Sequence, residues 1–319
     1  MSKKRCLYCY QELENEAADF HEKCSREFFG TLEPPVLDYD NQQMQDLAKQ
    51  IVVRSVALTG VQPKLSLTIE TTPGDPKHSR FTIVGLWGNF ILKPPAEVFP
   101  HLPENEDLTM HLSEFFGIQT AAHSLIRLRS GELAYLTKRF DRTPKGKLAM
   151  EDMCQLTETL TADKYRSSME KVGKQIAKFS SQPGLDAINF FETVLFCFLT
   201  GNADMHLKNF SLLTGQNGEI TLSPAYDLVC TKVAMPEDKD EMGLTINARK
   251  RRLARRDFDS LASNLKIPGR SLENIYDKFA GKIPEAMQWI YNSFLPEEMK
   301  HAYYTVVTEN AQKIELKVY

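Results

Sequence analysis

Gly201-Asn-Ala-Asp-Met-His-Leu-Lys-Asn-Phe210 follows an apolar run, Phe190 to Thr200, that reads as a buried helix stopped by Gly201-Asn202. The polar residues after the stop set an acid and an amide five positions apart, Asp204 and Asn209. Phosphoryl transfer needs that combination at close quarters. One carboxylate orients or deprotonates the attacking hydroxyl, and a neighbouring amide oxygen helps to hold Mg²⁺. A helix cap and a turn would explain the two residues by themselves. His206, between them, is open to two readings: a hydrogen bond within the loop, or a part in orienting substrate.

Downstream, Phe210-Ser-Leu-Leu-Thr, Gly215-Gln-Asn-Gly218 and Glu219-Ile-Thr-Leu-Ser predict a hairpin around 210–224 that returns Tyr226-Asp227-Leu228 to the loop. A short hairpin likewise separates the catalytic loop of protein kinases from the Asp that chelates Mg²⁺, so Asp227 is the candidate second metal ligand. Upstream, Phe90-Ile-Leu-Lys93 ends a strand with a lysine suited to the α/β-phosphates of ATP, and Thr59-Gly60-Val-Gln-Pro-Lys64 is the candidate loop over the nucleotide. A strand-ending lysine is more often a solvated charge, and one loop glycine is normally a turn. Five such elements in the expected order make phosphoryl transfer the better explanation.

The surrounding pattern predicts an α+β, two-lobed, protein-kinase-like fold with a small Cys/His segment at its N-terminus. Residues 51–142 form a β-rich N-lobe: Leu65-Ser-Leu-Thr-Ile-Glu alternates, Phe81-Thr-Ile-Val and Asn89-Phe-Ile-Leu-Lys flank Gly85-Leu-Trp-Gly88, and a strand pair follows between Ile126 and Arg139. Leu108, Leu112, Phe115 and Phe116 give a helix over 104–116 ending at Gly117. Residues 143–319 form a mainly helical C-lobe, and 31–50, with Leu32-Glu-Pro-Pro-Val-Leu-Asp-Tyr-Asp, read as a linker.

The N-terminal segment, residues 1–30, carries Cys6-Leu-Tyr-Cys9 and His21-Glu-Lys-Cys24, a C-x₂-C…H-x₂-C set whose ligand complement suits structural Zn²⁺. Reduced cysteines packed with Tyr8, Tyr10 and Phe20 are the alternative. The 319 residues are 42% hydrophobic and 25% charged, with a formal net charge of −3, so there is no global drive toward nucleic acid or anionic membrane. No signal peptide or spanning segment is evident, which places the expectation in the cytoplasm, where cysteines stay reduced. The basic run Arg249-Lys-Arg-Arg-Leu-Ala-Arg-Arg256 is most simply a solvated segment.

The sequence resembles the HipA family of bacterial serine/threonine kinase toxins over roughly residues 50 to 290. The resemblance rests on Thr59-Gly-Val-Gln-Pro-Lys-Leu, Ile91-Leu-Lys-Pro, Asn105-Glu106, Lys138-Arg-Phe-Asp-Arg142, Glu151-Asp-Met-Cys-Gln155, Asp204-Met-His-Leu-Lys-Asn209 and Pro224-Ala-Tyr-Asp227. It implies a catalytic Asp204, Mg²⁺ on Asn209 and Asp227, ATP at Lys93, and Lys138 to Phe140 near the adenine. It also pairs Glu106 with Lys93, although helical spacing puts Glu104 on the apolar face. The family's autophosphorylated loop serines are replaced by Ala57 and Thr59, which leaves Thr59 as the expected phosphoacceptor.

In length the chain is similar to the HipT toxins of three-component systems. That similarity implies a HipS-like small partner, a HipB-like helix-turn-helix antitoxin through which alone DNA is met, and an aminoacyl-tRNA synthetase as substrate. The competing functions are a small-molecule or lipid kinase, whose loop can share D-x-H-x-x-N, and a catalytically silent nucleotide- or zinc-binding regulator.

Overall fold

Two helices, α1 (Glu22–Phe29) and α2 (Asn41–Arg54), precede β1 (Leu65–Thr72), β2 (Asp75–Val84) and β3 (Phe90–Lys93). After them come α3 (Leu102–Phe115), β4 (His123–Arg127) and β5 (Leu133–Lys138). The computed structural model describes residues 4–54, 64–72, 75–84 and 87–316. It divides into two units, Met1–Asp107 with Ala121–Phe140 and Leu108–Thr120 with Asp141–Tyr319.

In the first unit the strands make an antiparallel sheet in the order β2-β1-β3-β5-β4. The alternation read in β1 is the cause: Leu65 and Leu67 are fully buried while Ser66 and Thr68 are less so. Helix α1 lays Phe28 and Phe29 against this sheet, with Phe28–Phe90 centroids 5.9 Å apart, Phe29–Phe81 6.0 Å and Phe81–Phe90 5.5 Å. Each such buried ring removes enough apolar area to contribute roughly 2–3 kcal/mol.

Two expected boundaries move. The N-terminal Cys/His segment is not separate from the sheet unit: the Leu125 amide of the edge strand β4 donates to Leu7 O at 3.3 Å, and Arg127 grips Asp19 at 3.0–3.1 Å. Residues 31–50 do more than link, because Val36 exchanges backbone hydrogen bonds with Ser79 and Phe81 and α2 starts at Asn41. In each case backbone groups of the segment find partners on the sheet, which a free linker would leave to water.

The second unit holds β6 (Arg142–Thr143), β7 (Gly146–Lys147), β8 (Ala149–Asp152), α4 (Met153–Leu156), α5 (Met169–Phe179) and α6 (Pro183–Leu199). It continues with β9 (Ser211–Thr214), β10 (Ile220–Leu222), α7 (Thr231–Ala234), α8 (Arg255–Asn264), α9 (Gly269–Asn292) and α10 (Glu297–Lys313). Helix α6 is its axis: Phe190, Phe191 and every residue from Val194 to Leu199 are fully buried, as a helix apolar on all sides must be. The segment 108–120 belongs here rather than with the sheet, since Phe116 packs on Phe196 and Phe279 and Gln119 O accepts from Ala225 N. Among the described residues, no helix is long and apolar enough to cross a membrane. Within the basic run, Arg251 meets Asp240 at 2.6 Å and Arg255 meets Glu273 at 3.0 Å.

Candidate active site

The end of α6 builds the loop that carries Asp204. Gly201 adopts φ +67°, and the Asn202 amide turns back to Cys197 O at 2.7 Å, a left-handed helix stop that glycine accommodates without strain. A Cβ at Gly201 would also meet Val306 at 2.7 Å. The Thr231 hydroxyl then accepts from Ala203 N at 2.8 Å and donates to Gly201 O at 2.9 Å, which clamps the turn. Gly243 closes the other side, because a Cβ there would lie 2.6 Å from Met205 O.

Within this frame the Asn202 side chain accepts from the Asp204 amide at 3.1 Å, and the Tyr165 hydroxyl donates to Asp204 Oδ1. The Tyr165 phenol is pushed above its ordinary pKa, first by burial and then by the Asp204 and Asp227 carboxylates. His206 stacks edge-on to Tyr165 at 4.9 Å. Burial lowers its pKa, opposed by the same two carboxylates, so the ring stays neutral near pH 7. Asp204 and Asp227 therefore bear on the same two side chains although 23 positions separate them.

The hairpin explains that convergence. Strands β9 and β10 pair antiparallel, and β8 adds to β9. The hydroxyl of half-buried Tyr226 anchors the returning strand, donating to Lys208 O at 2.8 Å and meeting Ser211 Oγ at 2.7 Å. Asp227 follows in the left-handed region, φ +62°, a conformation that Asp tolerates better than most residues. Asn209 is buried, and its Oδ1 has no hydrogen-bond partner among the described residues. A carboxylate and an amide oxygen are hard donors suited to Mg²⁺.

Lys93 and its acid belong to the first unit. Lys93, at the end of β3, meets Glu106 of α3 at 2.5 Å with both side chains buried, and lies 5.4 Å from the Tyr135 ring centroid. Glu104, the acid favoured by helical periodicity, instead meets His101 at 3.1 Å, and burial raises its pKa. Periodicity fails here because α3 is buried on all faces from Pro103 to Ser113, so no single inward face exists. Lys138 lies 5.7 Å from the Phe28 centroid and 6.0 Å from that of Phe90, and burial lowers its pKa. The chain passes from the first unit to the second directly after Phe140. Thr59 and Gly60 lie outside the described residues.

Sequence reasoning missed Tyr165 and gave no separate role to Asp152, Gln155 and Lys208. Asp152 caps α4 reciprocally with Gln155 and holds Lys208 at 2.7 Å, which gives the Glu151-Asp-Met-Cys-Gln155 motif a structural duty in positioning the loop. Tyr165 sits in an irregular segment with no motif of its own, so nothing in its surroundings advertised it.

In the N-terminal segment, the ligand atoms of Cys6, Cys9, His21 and Cys24 all lie within 4.8 Å of one another. The Cys9 thiol donates to the Cys6 sulfur, which brings the Cys6 pKa down to about 5 and drives that of Cys9 up.

Residues 56–287 match the family model described as the HipA-like C-terminal domain. Y4dM of Sinorhizobium fredii, which carries a kinase name, is 33% identical over 220 residues, covering 65% of this chain and 52% of its own length. The serine/threonine-protein kinase toxin HipA of Shewanella oneidensis is 25% identical over 256 residues, 73% of this chain and 56% of that protein. The chain thus spans about half the length of these curated relatives. It is similar in structure to HipA of the Shewanella oneidensis HipA, HipB and operator DNA complex, with TM-score 0.66 and 22% identity over 81% of this chain and 65% of that one. The fold is the kinase-like, two-lobed one: a small β-rich lobe and a mainly helical lobe.

Proposed function

Since the chain belongs to the HipA-like C-terminal domain family, we propose that it is a serine/threonine protein kinase that transfers the γ-phosphate of ATP to a protein hydroxyl. Asp204 orients the attacking hydroxyl and takes its proton. Asn209 and Asp227 hold Mg²⁺, which when bound neutralises charge on the phosphoryl oxygens. By the family resemblance, Lys93, which meets Glu106, would hold the α/β-phosphates, Lys138 and Phe140 would serve the adenine, and Thr59 and Gly60 the phosphates. The Tyr165 hydroxyl keeps the Asp204 carboxylate in place, with the His206 ring edge-on to Tyr165.

The observation that carries this reading is the buried Asn209 Oδ1, without a hydrogen bond among the described residues, in the loop that also bears Asp204. An orphaned buried acceptor costs about 1–3 kcal/mol, and a cation would offset that cost. The decisive experiment is transfer of labelled γ-phosphate by the purified chain with Mg²⁺, comparing Asp204→Asn and Asp227→Asn. Label on protein in the parent alone supports the kinase. ATP bound with no transfer to any acceptor points to a silent regulator, and label only on small molecules or lipid to the other kinase class.

Thr59 is the proposed autophosphorylation site, where added charge beside the nucleotide phosphates would expel the loop. Phosphopeptides carrying only Ser55 or Ser66 after incubation with ATP would overturn this assignment. A HipB-like antitoxin is the proposed partner, in keeping with the HipB and operator DNA of the similar Shewanella complex, and DNA is reached only through it. The HipS-like partner and the aminoacyl-tRNA synthetase substrate rest on the resemblance alone. Copurification from the native operon and phosphoproteomics after brief expression test them.

A further inference from the structure

The geometry points to a structural Zn²⁺ site of three thiolates and one imidazole, Cys6, Cys9, His21 and Cys24, that staples residues 4–30 onto the edge of the sheet. His21 Nδ1 lies 3.5 Å from Cys9 Sγ and 3.7 Å from Cys24 Sγ. A tetrahedral zinc with sulfur at about 2.3 Å and nitrogen at about 2.0 Å sets that separation near 3.5 Å. The other ring nitrogen, Nε2, donates to Glu12 O at 3.0 Å, which fixes the tautomer and turns the Nδ1 lone pair toward the sulfurs.

The backbone is built for the same ion. Cys6 N donates to Gln11 O at 2.9 Å and Tyr10 N to Cys6 O at 3.0 Å, closing a tight turn over Cys6-Leu-Tyr-Cys9, and Tyr10 leaves it in the left-handed region at φ +61°. Such a turn brings two sulfurs to one centre, and the start of α1 delivers the other two ligands from His21-Glu-Lys-Cys24. All four side chains are in place, and the cysteines are free thiols.

The staple has identifiable consequences within the sheet unit. A segment of this size buries too little to hold itself, and metal binding would supply its folding free energy. Once held, it covers the open edge of β4 through Leu7 O, seats Phe28 under Lys138, and donates from the Tyr10 hydroxyl to Asp107 at 2.7 Å. Asp107 also meets His123 of β4 at 2.7 Å, so the ion fixes a buried chain of polar groups behind the sheet. The site stands whether or not the chain transfers phosphate.

The test is metal analysis and X-ray absorption on the full chain, expressed with zinc and purified without chelator. About one zinc per chain in a shell of three sulfurs and one nitrogen is expected. Cys9→Ser should lose the metal, while His21→Cys should keep it with four sulfurs, a result that misfolding cannot imitate. Chelation of the parent should speed exchange of the Leu125 amide, the proton donated to Leu7. Absence of stoichiometric zinc, a shell with fewer than two sulfurs, or a mass showing a disulfide among these cysteines would overturn the site.

Discussion

The Lys93–Glu106 pair and the Asp204–Asn209 loop are both buried and polar, yet they are finished to different degrees. In the first, ammonium and carboxylate meet at 2.5 Å and satisfy one another inside the sheet unit. In the second, Asn209 Oδ1 is buried without a hydrogen bond among the described residues, and the half-buried Asp204 carboxylate accepts from the Tyr165 hydroxyl. Internal satisfaction makes a rigid fixture, whereas open acceptors make a site that a ligand completes. The pair should therefore matter mainly to stability and to nucleotide affinity, the loop mainly to turnover.

The sharpest division comes from the loop acid. Asp204→Asn should slow phosphoryl transfer by about 10²–10⁴-fold while urea stability shifts by less than about 1 kcal/mol. Equal loss of folding and turnover would erase the distinction. Next in size is the pair: Lys93→Met removes the ammonium that meets the buried Glu106 carboxylate, at a cost of about 3–5 kcal/mol. Adding Glu106→Leu should recover most of that stability in urea melts without restoring ATP binding, because two apolar groups can replace a buried pair but cannot hold phosphate.

A smaller effect is expected at Asn209. Asn209→Ala removes an acceptor that has no partner among the described residues, so stability should change by less than about 1 kcal/mol, whereas the Mg²⁺ requirement for ATP binding should rise about tenfold. If this variant unfolds as readily as Lys93→Met, the loop is a fixture too.

The smallest effect is set by His206, whose folded pKa lies below its ordinary value through burial. The unfolded chain then binds more protons below about pH 6.5, so stability is full above that pH and declines as pH falls through and below it. His206→Gln should flatten this acid limb in urea midpoints measured from neutral to mildly acidic pH.

Much of the loop was legible because it is local. Asp204 and Asn209 share one turn after α6, the β9–β10 hairpin has a glycine and asparagine turn, and the cysteine spacings sit within single turns of chain. The same holds for the strands, whose alternation is a property of a few successive residues. The periodicity of α3 was misleading for the opposite reason: a helix buried on every side carries no directional signal, and only the family motif Asn105-Glu106 singled out the acid that meets Lys93.

Sequence spacing thus determined which residues of the loop, the hairpin and the N-terminal Cys/His segment come together, since turn and hairpin geometry holds neighbours within a few residues of one another. Tertiary packing alone decided the rest: Tyr165 on Asp204, the choice of Glu106 over Glu104, the docking of the N-terminal segment on β4, and the transfer of residues 108–120 to the helical unit. Those contacts join segments far apart in the chain. They depend on sheet register, helix rotation and the burial available at each surface, none of which a local pattern encodes.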